Sequence, residues 1–303
     1  MQHSQTPRGR TRRVRRSSFL FLLLLGACAH SPFKPGEQVH IVVVAGDVSH
    51  PEINEQAITA TLVESLQPEV VLLPGDAQYG EGTPEQFAHA YEPTWGRFKS
   101  KTRPAPGNHE YKSGAAGYFA YFGELAGPAG KGFYSFDVGA WHVVSLNTGH
   151  LCANGECDEQ SEQVKWLEAD LSATMKKCVI AFWHHPRFNS GHHGAFLPSA
   201  NFWKVLLAHH VELVFNGHEH FYERVGPVNA DGEPDERDGI VQFTVGTGGI
   251  GFSDFLKPIA ISRARDNVTY GVLKLELGDD AWRARFVPVP GKLFTDEASG
   301  TCR

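Results

Sequence analysis

Short apolar runs that end abruptly in polar residues recur along this chain, and they constrain its fold more than any other feature. Residues 39–45 form such a run before Asp47, and residues 70–73 form a second before Asp76. A segment with helical character, residues 54–66, separates the two runs. Strand, helix and strand in this order are typical of a parallel βαβ unit, whose ligands gather at the carboxyl ends of the strands. The sequence therefore predicts an α/β domain with a functional site at that edge.

The later part of the chain continues the alternation of strands and helices. Residues 133–138 and 141–146 are predicted to form a hairpin, and two segments have helical character, residues 158–172 and 201–210. Four more segments are predicted as strands: 178–183, 212–215, 240–245 and 270–276. Because neither an internal repeat nor a low-complexity segment divides the sequence, we expect one continuous domain over residues 39–303.

The first 27 residues have the composition of an export signal. They contain six arginines and no acidic residue, and the arginines are followed by the apolar run 19–25. A basic segment, a short apolar run and small residues before a cleavage site are typical of a signal peptide. The apolar run falls short of the roughly 20 residues that a membrane-spanning helix needs.

The end of this leader indicates a lipid anchor. Leu25-Gly26-Ala27-Cys28 resembles the bacterial lipobox, in which the cysteine becomes the lipidated first residue of the mature chain. An ordinary signal peptide that happens to precede a cysteine is the alternative. We expect a lipoprotein signal peptide over residues 1–27 and a tether over residues 28–38. The protein would then be exported and anchored to a membrane through a lipid on Cys28, in the periplasm or at the cell surface.

The rest of the chain is acidic. Without the six leader arginines, 22 Lys and Arg stand against 34 Asp and Glu, so the whole-chain charge of −6 becomes −12. Nucleic-acid-binding domains are basic, because contacts to phosphate dominate their affinity. The composition therefore excludes nucleic acid as a partner, and no heptad repeat, methionine stripe or basic patch indicates a protein partner.

The cysteines predict two disulfides. Besides Cys28 the chain has Cys152, Cys157, Cys178 and Cys302, an even number, which is typical of a disulfide framework in an exported protein. Three pairings are possible. Close spacing favours a local bridge between Cys152 and Cys157, which leaves Cys178 to pair with Cys302. A cysteine-ligated zinc site is disfavoured because paired CxxC spacing is missing.

Five polar clusters follow the apolar runs, and together they offer carboxylate, amide, phenol and imidazole groups. The clusters are Gly46-Asp47, Gly75-Asp76-Ala77-Gln78-Tyr79, Gly107-Asn108-His109-Glu110, Trp183-His184-His185-Pro186 and Gly217-His218-Glu219-His220. Oxygen and imidazole donors without thiolate suit Fe, Mn, Zn or Co. Because a carboxylate can bridge two cations, such a set can hold two metals that clamp the oxygens of a phosphoryl displacement. His218 and His220, two apart on extended backbone, are expected to point the same way.

The ordered set GD, GDxxY, GNHE, HxP and GHxH resembles the calcineurin-type metallophosphoesterases, and specifically their purple acid phosphatase branch. The resemblance covers roughly residues 38–250. Most metallophosphoesterases begin with Asp-x-His, whereas Asp47 is followed by Val48 and Ser49; the purple acid phosphatases use a tyrosine three residues after the second Asp, as Tyr79 is placed. The resemblance implies an α/β fold, a single-domain four-layer α-β-β-α sandwich.

Carried over to this chain, the resemblance implies two metal ions. One is Fe(III), because a phenolate is a strong donor to a hard trivalent ion, and the other is a divalent Fe, Zn or Mn. The implied ligands of Fe(III) are Asp47, Asp76, Tyr79 and His220. Asp76 would bridge to the divalent ion, whose other ligands would be Asn108, His184 and His218.

The resemblance also implies catalytic histidines. His109 would lie just outside the metals, near the phosphoryl oxygens or the leaving group. His192 and His193 resemble a histidine region that approaches the substrate in plant enzymes, and which of the two acts stays open.

Other polar residues near the motifs have alternative interpretations. His185 is adjacent to His184 and competes with it as the ligand, although the family's His-x-Pro pattern favours His184. His50 is a candidate for a displaced ligand. Glu110 and Glu219 are expected to support the ligands rather than bind metal, and the glycines of residues 246–249 are expected to let the backbone pass close to the metals.

These expectations define a function. A secreted phosphomonoesterase of the acid phosphatase type would use a metal-bound hydroxide against phosphorus, with the histidines protonating the leaving oxygen. A phosphodiesterase or nucleotide pyrophosphatase on the same metal site is the alternative among enzymes. A non-catalytic metal-binding surface lipoprotein is the alternative from another class, and the complete set of expected ligands argues against it.

Overall fold

The computed structural model describes residues 1, 3, 31–149, 152, 155 and 157–303. The chain divides into two compact units, Met1–Ser31 and Pro32–Arg303, and all elements given below belong to the second. The predicted signal peptide, apart from Met1 and His3, and the lipidation site Cys28 lie outside the described residues. Within the described ranges, no helix is both long and apolar enough to cross a membrane.

The second unit is built from alternating strands and helices. The strands are β1 (His40–Val44), β2 (Val70–Pro74), β3 (Thr102–Ala105), β4 (Tyr134–Val138), β5 (Trp141–Ser145), β6 (Cys178–Phe182), β7 (Leu213–Asn216), β8 (Tyr222–Val228), β9 (Ile240–Val245), β10 (Ser262–Asp266), β11 (Gly271–Leu277), β12 (Ala281–Pro288) and β13 (Glu297–Thr301). The α-helices are α1 (Glu55–Leu66), α2 (Pro84–Gln86), α3 (Asn108–Tyr111), α4 (Ala116–Phe122), α5 (Glu162–Ala173) and α6 (Ala200–Ala208). Between them lie a π-helical turn at Phe87–Tyr91 and 3₁₀ turns at Trp95–Lys101, Gly123–Ala126 and Leu197–Ser199.

Two mixed sheets form the centre of the fold. The first has the strand order β13-β12-β11-β1-β2-β3, with β1, β2 and β3 parallel. The second has the order β10-β8-β9-β7-β6-β5-β4, with β5, β6, β7 and β9 parallel. In the second sheet the parallel strands are central and the antiparallel strands lie toward the edges, whereas in the first sheet the parallel strands occupy one end and β3 is the edge strand. Such mixed sheets are common in α/β folds.

Apolar side chains of the two sheets pack into one cluster. Phe182 and Phe215 of the second sheet share this cluster with Leu273 of the first. The opposite face of the second sheet carries α5 and α6 through a separate cluster, to which Leu167 and Trp203 belong. Helix α1 contacts the first sheet at β11. This arrangement is the predicted four-layer α-β-β-α sandwich in a single domain.

Local sequence explains where helix α5 begins. Prediction placed its start near residue 158, but Ser161 is the N-cap, and its hydroxyl accepts the N–H of Val164 at 3.2 Å. A serine at this position satisfies a backbone donor that the first turn leaves unpaired. Val164, Leu167 and Leu171 then line the buried side of the helix, as the 3.6-residue period requires.

Both predicted disulfides are confirmed. Cys152 pairs with Cys157 and Cys178 pairs with Cys302. Cys178 is the first residue of β6 in the second sheet, whereas Cys302 directly follows β13 at the edge of the first. The Cys178–Cys302 bridge therefore links the two sheets and fixes the carboxyl end of the chain.

Loss of the Cys178–Cys302 bridge is expected to destabilise the fold far more than loss of the Cys152–Cys157 bridge. The two bridges close segments with sequence separations of 124 and 5 residues. Loop-closure entropy then assigns them about 5 and about 2 kcal/mol, respectively. Guanidinium unfolding of the C178A/C302A and C152A/C157A proteins measures both. Equal losses of unfolding free energy in the two double variants would contradict the sheet-linking role.

Candidate metal centre

The carboxyl ends of the parallel strands from both sheets meet at one place. Asp47 follows β1, Asp76 follows β2 and Asn108 follows β3; from the second sheet, His184 follows β6 and His218 follows β7. The backbone joins these ends directly: the N–H of Gly46 donates to the carbonyl of Val245 at 2.9 Å. The structure thus brings the side chains of all seven predicted metal ligands together.

Three of the predicted ligands form one half of the site. The Tyr79 hydroxyl lies 2.6 Å from Asp47 Oδ1 and 2.7 Å from His220 Nε2. Asp47 Oδ1 and His220 Nε2 are themselves 3.6 Å apart. We call this group the tyrosine half-site: Asp47, Tyr79 and His220.

A second group of three lies beside it, and we call it the amide half-site: Asn108, His184 and His218. Asn108 Oδ1 lies 3.0 Å from His184 Nε2 and 3.1 Å from His218 Nδ1. The two imidazole nitrogens are 3.3 Å apart.

Asp76 connects the two half-sites. Its Oδ2 lies 3.3 Å from His184 Nε2 in the amide half-site. Its negative charge also contributes to raising the pKa of Tyr79 in the tyrosine half-site, after burial and Asp47. A carboxylate between two groups of donors is suited to bridge two cations.

The chemistry of the donor set fits bound cations. His184 Nδ1 donates to the Pro74 carbonyl at 3.0 Å, and His220 Nδ1 donates to the Gly251 carbonyl at 2.8 Å. Such hydrogen bonds fix the tautomer of a metal-ligating histidine and leave Nε2 with its lone pair. The Nε2 of neutral His184 consequently faces the carbonyl oxygen of Asn108 and the carboxylate of Asp76, which are also acceptors. A cation among them satisfies all three at once.

Hydrogen bonds to the backbone also orient the carboxylates of Asp47 and Asp76 toward the site. Asp47 Oδ2 accepts the N–H of His218 at 2.8 Å, and Asp76 Oδ1 accepts the N–H of His109 at 2.9 Å. Each aspartate therefore has one oxygen held by the backbone and the other directed into the site. Both side chains are buried, and buried carboxylates are stable only when they are paired or coordinate metals.

The pKa values reflect the strong negative field of the site. Burial lowers the pKa of His184, but the Asp76 and Asp47 carboxylates outweigh it and raise the pKa to about 9. The His184 imidazolium in turn outweighs burial and lowers the pKa of Asp76. Without a metal, a proton on His184 supplies the positive charge that these acceptors attract.

Backbone strain is concentrated at the same residues. Asp47, Asp76 and His218 have φ angles of 58°, 48° and 69°, in the left-handed region that side chains other than glycine seldom adopt. Such conformations cost about 1–3 kcal/mol each and persist where the surroundings hold them in place, often at functional sites. Among the described residues, six other than glycine have such φ angles, and three of the six are predicted ligands.

Glycines make room for the crowded donors. A Cβ at Gly107 would collide with the Asp76 carboxylate, and a Cβ at Gly246 would collide with the Glu219 carbonyl and approach Asp47 Oδ2. The glycine run at 246–249 therefore lets the backbone pass beside the site, as predicted.

Glu110 supports the site from below, as predicted for a non-ligand. Its carboxylate accepts the N–H groups of Asp76 at 3.1 Å, Gln78 at 3.1 Å and Gly107 at 2.8 Å. Burial and the Asp76 charge raise the pKa of Glu110 to about 8, against the opposing effect of these donors. Two backbone segments, residues 76–78 and the turn at Gly107, are thus held by one buried side chain.

A cavity of about 270 Å³ opens above the donors. It is lined by five of the predicted ligands, Asp76, Tyr79, Asn108, His218 and His220, by the three predicted catalytic histidines, His109, His192 and His193, and by Ser253. Asp47 and His184 are fully buried beneath it. The cavity is where a phosphoryl group would reach both half-sites.

The predicted catalytic histidines differ in how they are held. The His109 ring lies 4.1 Å from the Tyr79 ring, and its Nδ1 is 2.9 Å from the Gly80 carbonyl. Burial lowers the pKa of His109. Both the N–H and the Nδ1 of His193 lie 3.2 Å from Glu219 Oε1, and its ring is 4.4 Å from the His218 ring.

The alternative ligands are placed as follows. His185 Nδ1 lies 3.0 Å from the Thr148 hydroxyl, and burial together with the His184 charge lowers the pKa of His185 to about 3. His185 also forms a group with His184 and His218 whose ligand atoms lie within 4.8 Å of one another. His50 Nδ1 accepts the N–H of Glu52 at 3.0 Å.

Two residues at the site were missed from sequence. Lys112 Nζ lies 3.0 and 3.1 Å from the two ring nitrogens of His109. The i,i+3 spacing of these residues on one helical segment was the available signal. Ser253 lines the cavity from a distant loop, and nothing in its local sequence indicates this position.

This combination of sandwich fold and strand-end donors has counterparts among known proteins. Residues 21–222 match the family described as calcineurin-like phosphoesterase, and the chain belongs to that family.

Within the family, the similarity is to purple acid phosphatases. The chain is 29% identical over 233 residues to purple acid phosphatase 22 of Arabidopsis thaliana, covering 68% of this chain and 49% of that protein. It is 30% identical over 241 residues to purple acid phosphatase 18 of the same plant, covering 73% and 52%. The chain thus spans about half the length of these curated relatives.

A solved structure agrees at the level of fold. The purple acid phosphatase from yellow lupin (Lupinus luteus) seeds superposes with a TM-score of 0.69 at 20% identity, over 89% of this chain and 55% of that one. The family implies a dinuclear metal centre, and the two half-sites around Asp76 are the candidate for it.

Proposed function

We propose that this protein is an exported phosphohydrolase with a dinuclear metal centre, acting on phosphomonoesters in the manner of an acid phosphatase. The observation that carries the proposal is the position of Asp76 between two groups of three donors, beneath a cavity lined by histidines. Similarity to purple acid phosphatases supports the same reaction class.

The two half-sites would hold different ions. The tyrosine half-site, with a phenol and a carboxylate, suits Fe(III), and Asp76 completes it. The amide half-site, with two imidazoles and an amide oxygen, suits a divalent Fe, Zn or Mn ion, which Asp76 would share. When bound, the pair would supply an activated water and neutralise charge on the phosphoryl group.

The histidines around the cavity would protonate the leaving oxygen and donate hydrogen bonds to the phosphoryl oxygens. The His109 ring lies beside the Tyr79 ring, and its Nδ1–H is held by the Gly80 carbonyl. A protonated His109 would therefore have its Nε2–H available to donate to a phosphoryl oxygen. The group that protonates the leaving oxygen must reach the cavity and keep a defined orientation. Both His192 and His193 are exposed and line the cavity. His193 meets the second condition because the buried Glu219 carboxylate lies 3.2 Å from its Nδ1 and can fix its orientation.

Export and anchoring belong to the same proposal. Two disulfides fit an oxidising compartment. A lipid on Cys28 would hold the enzyme at a membrane, in the periplasm or at the cell surface, and phosphate esters outside the cytoplasm would be its substrates.

Substitution of Asp76 with alanine tests the proposed function. Because Asp76 faces both half-sites, the D76A protein should lose at least one metal ion per chain and lower kcat/KM on an aryl phosphate by about 10⁴-fold or more. Elemental analysis and initial rates measure the two effects together, and circular dichroism checks the fold.

The exposed Asp279 provides the matched control, since D279A removes a carboxylate of the same size away from the site. Near-wild-type phosphatase activity in D76A would overturn the proposed function. If the wild-type protein instead hydrolyses a bis-aryl diester faster than the monoester, the phosphodiesterase alternative replaces the phosphomonoesterase.

The two neighbouring histidines are expected to differ in their effect on rate. Loss of a general acid typically costs 10²–10⁴-fold, and it matters most for a poor leaving group. His193→Asn should therefore lower kcat on an alkyl phosphate by about 10²-fold and on an aryl phosphate much less. His192→Asn should change kcat less than about tenfold on either ester. A larger loss in His192→Asn than in His193→Asn would assign the proton to His192.

A further inference from the structure

A second cavity lies next to the one above the metal centre. Its volume is about 480 Å³, and His192 lines both cavities. A phosphoryl group held over the two half-sites would therefore have this second cavity beside it, with His192 at the boundary.

The second cavity is mostly apolar. Its walls include Phe188, Leu256, Ile259, Ala260 and Ile261. Ligand pockets typically enclose about 300–1,000 Å³, and an apolar space of roughly 150 Å³ already holds benzene. A fused aromatic ring system fits within 480 Å³.

The two walls of this cavity are fastened to each other. The Ser190 carbonyl accepts the N–H groups of Leu256 at 3.0 Å and Lys257 at 3.2 Å, and the Ser190 hydroxyl accepts the N–H of Ile259 at 3.1 Å. Ser190 is in turn anchored to the fully buried Glu223, which accepts its N–H at 2.8 Å and its hydroxyl. The loop of residues 188–195 and the segment 256–261 thus form a cavity that exists before any ligand binds, which lowers the entropic cost of binding.

The charges around the cavity argue against a highly charged occupant. Lys257 and Asp231 are the charged side chains apart from His192 in its lining, one of each sign, and both are exposed. A leaving group with a further phosphate would meet no net positive charge here. A neutral apolar group would cover side chains such as Leu256, which is 73% exposed.

We propose that this leaving-group cavity binds the alcohol portion of the substrate, and that the preferred substrates are monoesters of aromatic, uncharged alcohols. The proposal rests on the proposed phosphomonoesterase function and specifies its substrate class. The phosphoryl group would occupy the metal centre, and the ring would pass His192 and bury itself against Phe188 and Ile259.

Matched esters test the proposal. Phenyl phosphate and 2-naphthyl phosphate have leaving phenols of similar acidity but different apolar area, so intrinsic reactivity changes little between them. The metal-loaded wild-type protein should hydrolyse 2-naphthyl phosphate with a kcat/KM about tenfold higher than phenyl phosphate, because the larger ring makes extra apolar contacts in the cavity. Most of this difference should be a lower KM.

Filling the cavity should remove this preference. Ala260 is exposed at the cavity wall, and Ala260→Trp should bring the ratio of the two kcat/KM values close to one. Ala129 is also exposed, but it lies outside the cavity, so Ala129→Trp is the matched control and should retain the tenfold ratio. Calorimetric titration with 2-naphthylphosphonate, which cannot be hydrolysed, should show about tenfold weaker binding to A260W than to A129W.

The outcomes separate the two proposals. Equal kcat/KM for the two esters in an active wild-type protein, or equal phosphonate affinity in A260W and A129W, would overturn the leaving-group cavity and leave the phosphohydrolase assignment intact. If the metal-loaded protein hydrolyses neither ester, the proposed function fails, and the cavity proposal fails with it.

Discussion

At one edge of the fold, His184 Nε2 faces two oxygen acceptors, Asp76 Oδ2 and Asn108 Oδ1, so a proton or a cation must lie between them. Asp76 Oδ2, Asn108 Oδ1 and the imidazole nitrogens of His184 and His218 lie within 3.0–3.3 Å of a neighbour in the set. Because His184 Nδ1 donates to the Pro74 carbonyl, the Nε2 of the neutral ring carries a lone pair that repels these oxygens unless it binds a proton or a cation. The Asp76 and Asp47 carboxylates raise the pKa of His184 and so favour a positive charge at this position.

The surrounding structure is arranged to tolerate this concentration of donors. Left-handed backbone at Asp47 and Asp76 turns both carboxylates inward, and glycines leave space where any Cβ would collide with them. Glu110 holds the backbone of the second and third motifs, and the Cys178–Cys302 bridge links the two sheets. Strain at the site is thus offset by a large core and by connections between the sheets that supply its ligands.

The sequence alone predicted those parts of the protein whose structure depends on residues close together in the chain. Apolar runs before Gly-Asp and Gly-His predicted the central strands, and the resemblance of the ordered motifs to the purple acid phosphatases implied the seven donors that the structure brings together. Strands such as β10 and β13 were not predicted, because both strands are short and their residues are mostly polar and partly exposed. Ser253 and the leaving-group cavity depend on contacts between distant segments, which no periodicity records, whereas the i,i+3 spacing of Lys112 from His109 was a local signal. The assignment of each donor as a ligand of a particular metal ion stays a prediction.

Metal content combined with a visible spectrum tests the central claim most directly. Protein purified from an iron-replete host should contain two metal ions per chain, one of them iron. A visible charge-transfer band should be present in the wild type and absent in Tyr79→Phe, which keeps the ring but removes the phenolate donor. Fewer than two metal ions per chain would contradict the dinuclear centre, and a band unchanged in Tyr79→Phe would contradict the binding of Fe(III) at the tyrosine half-site.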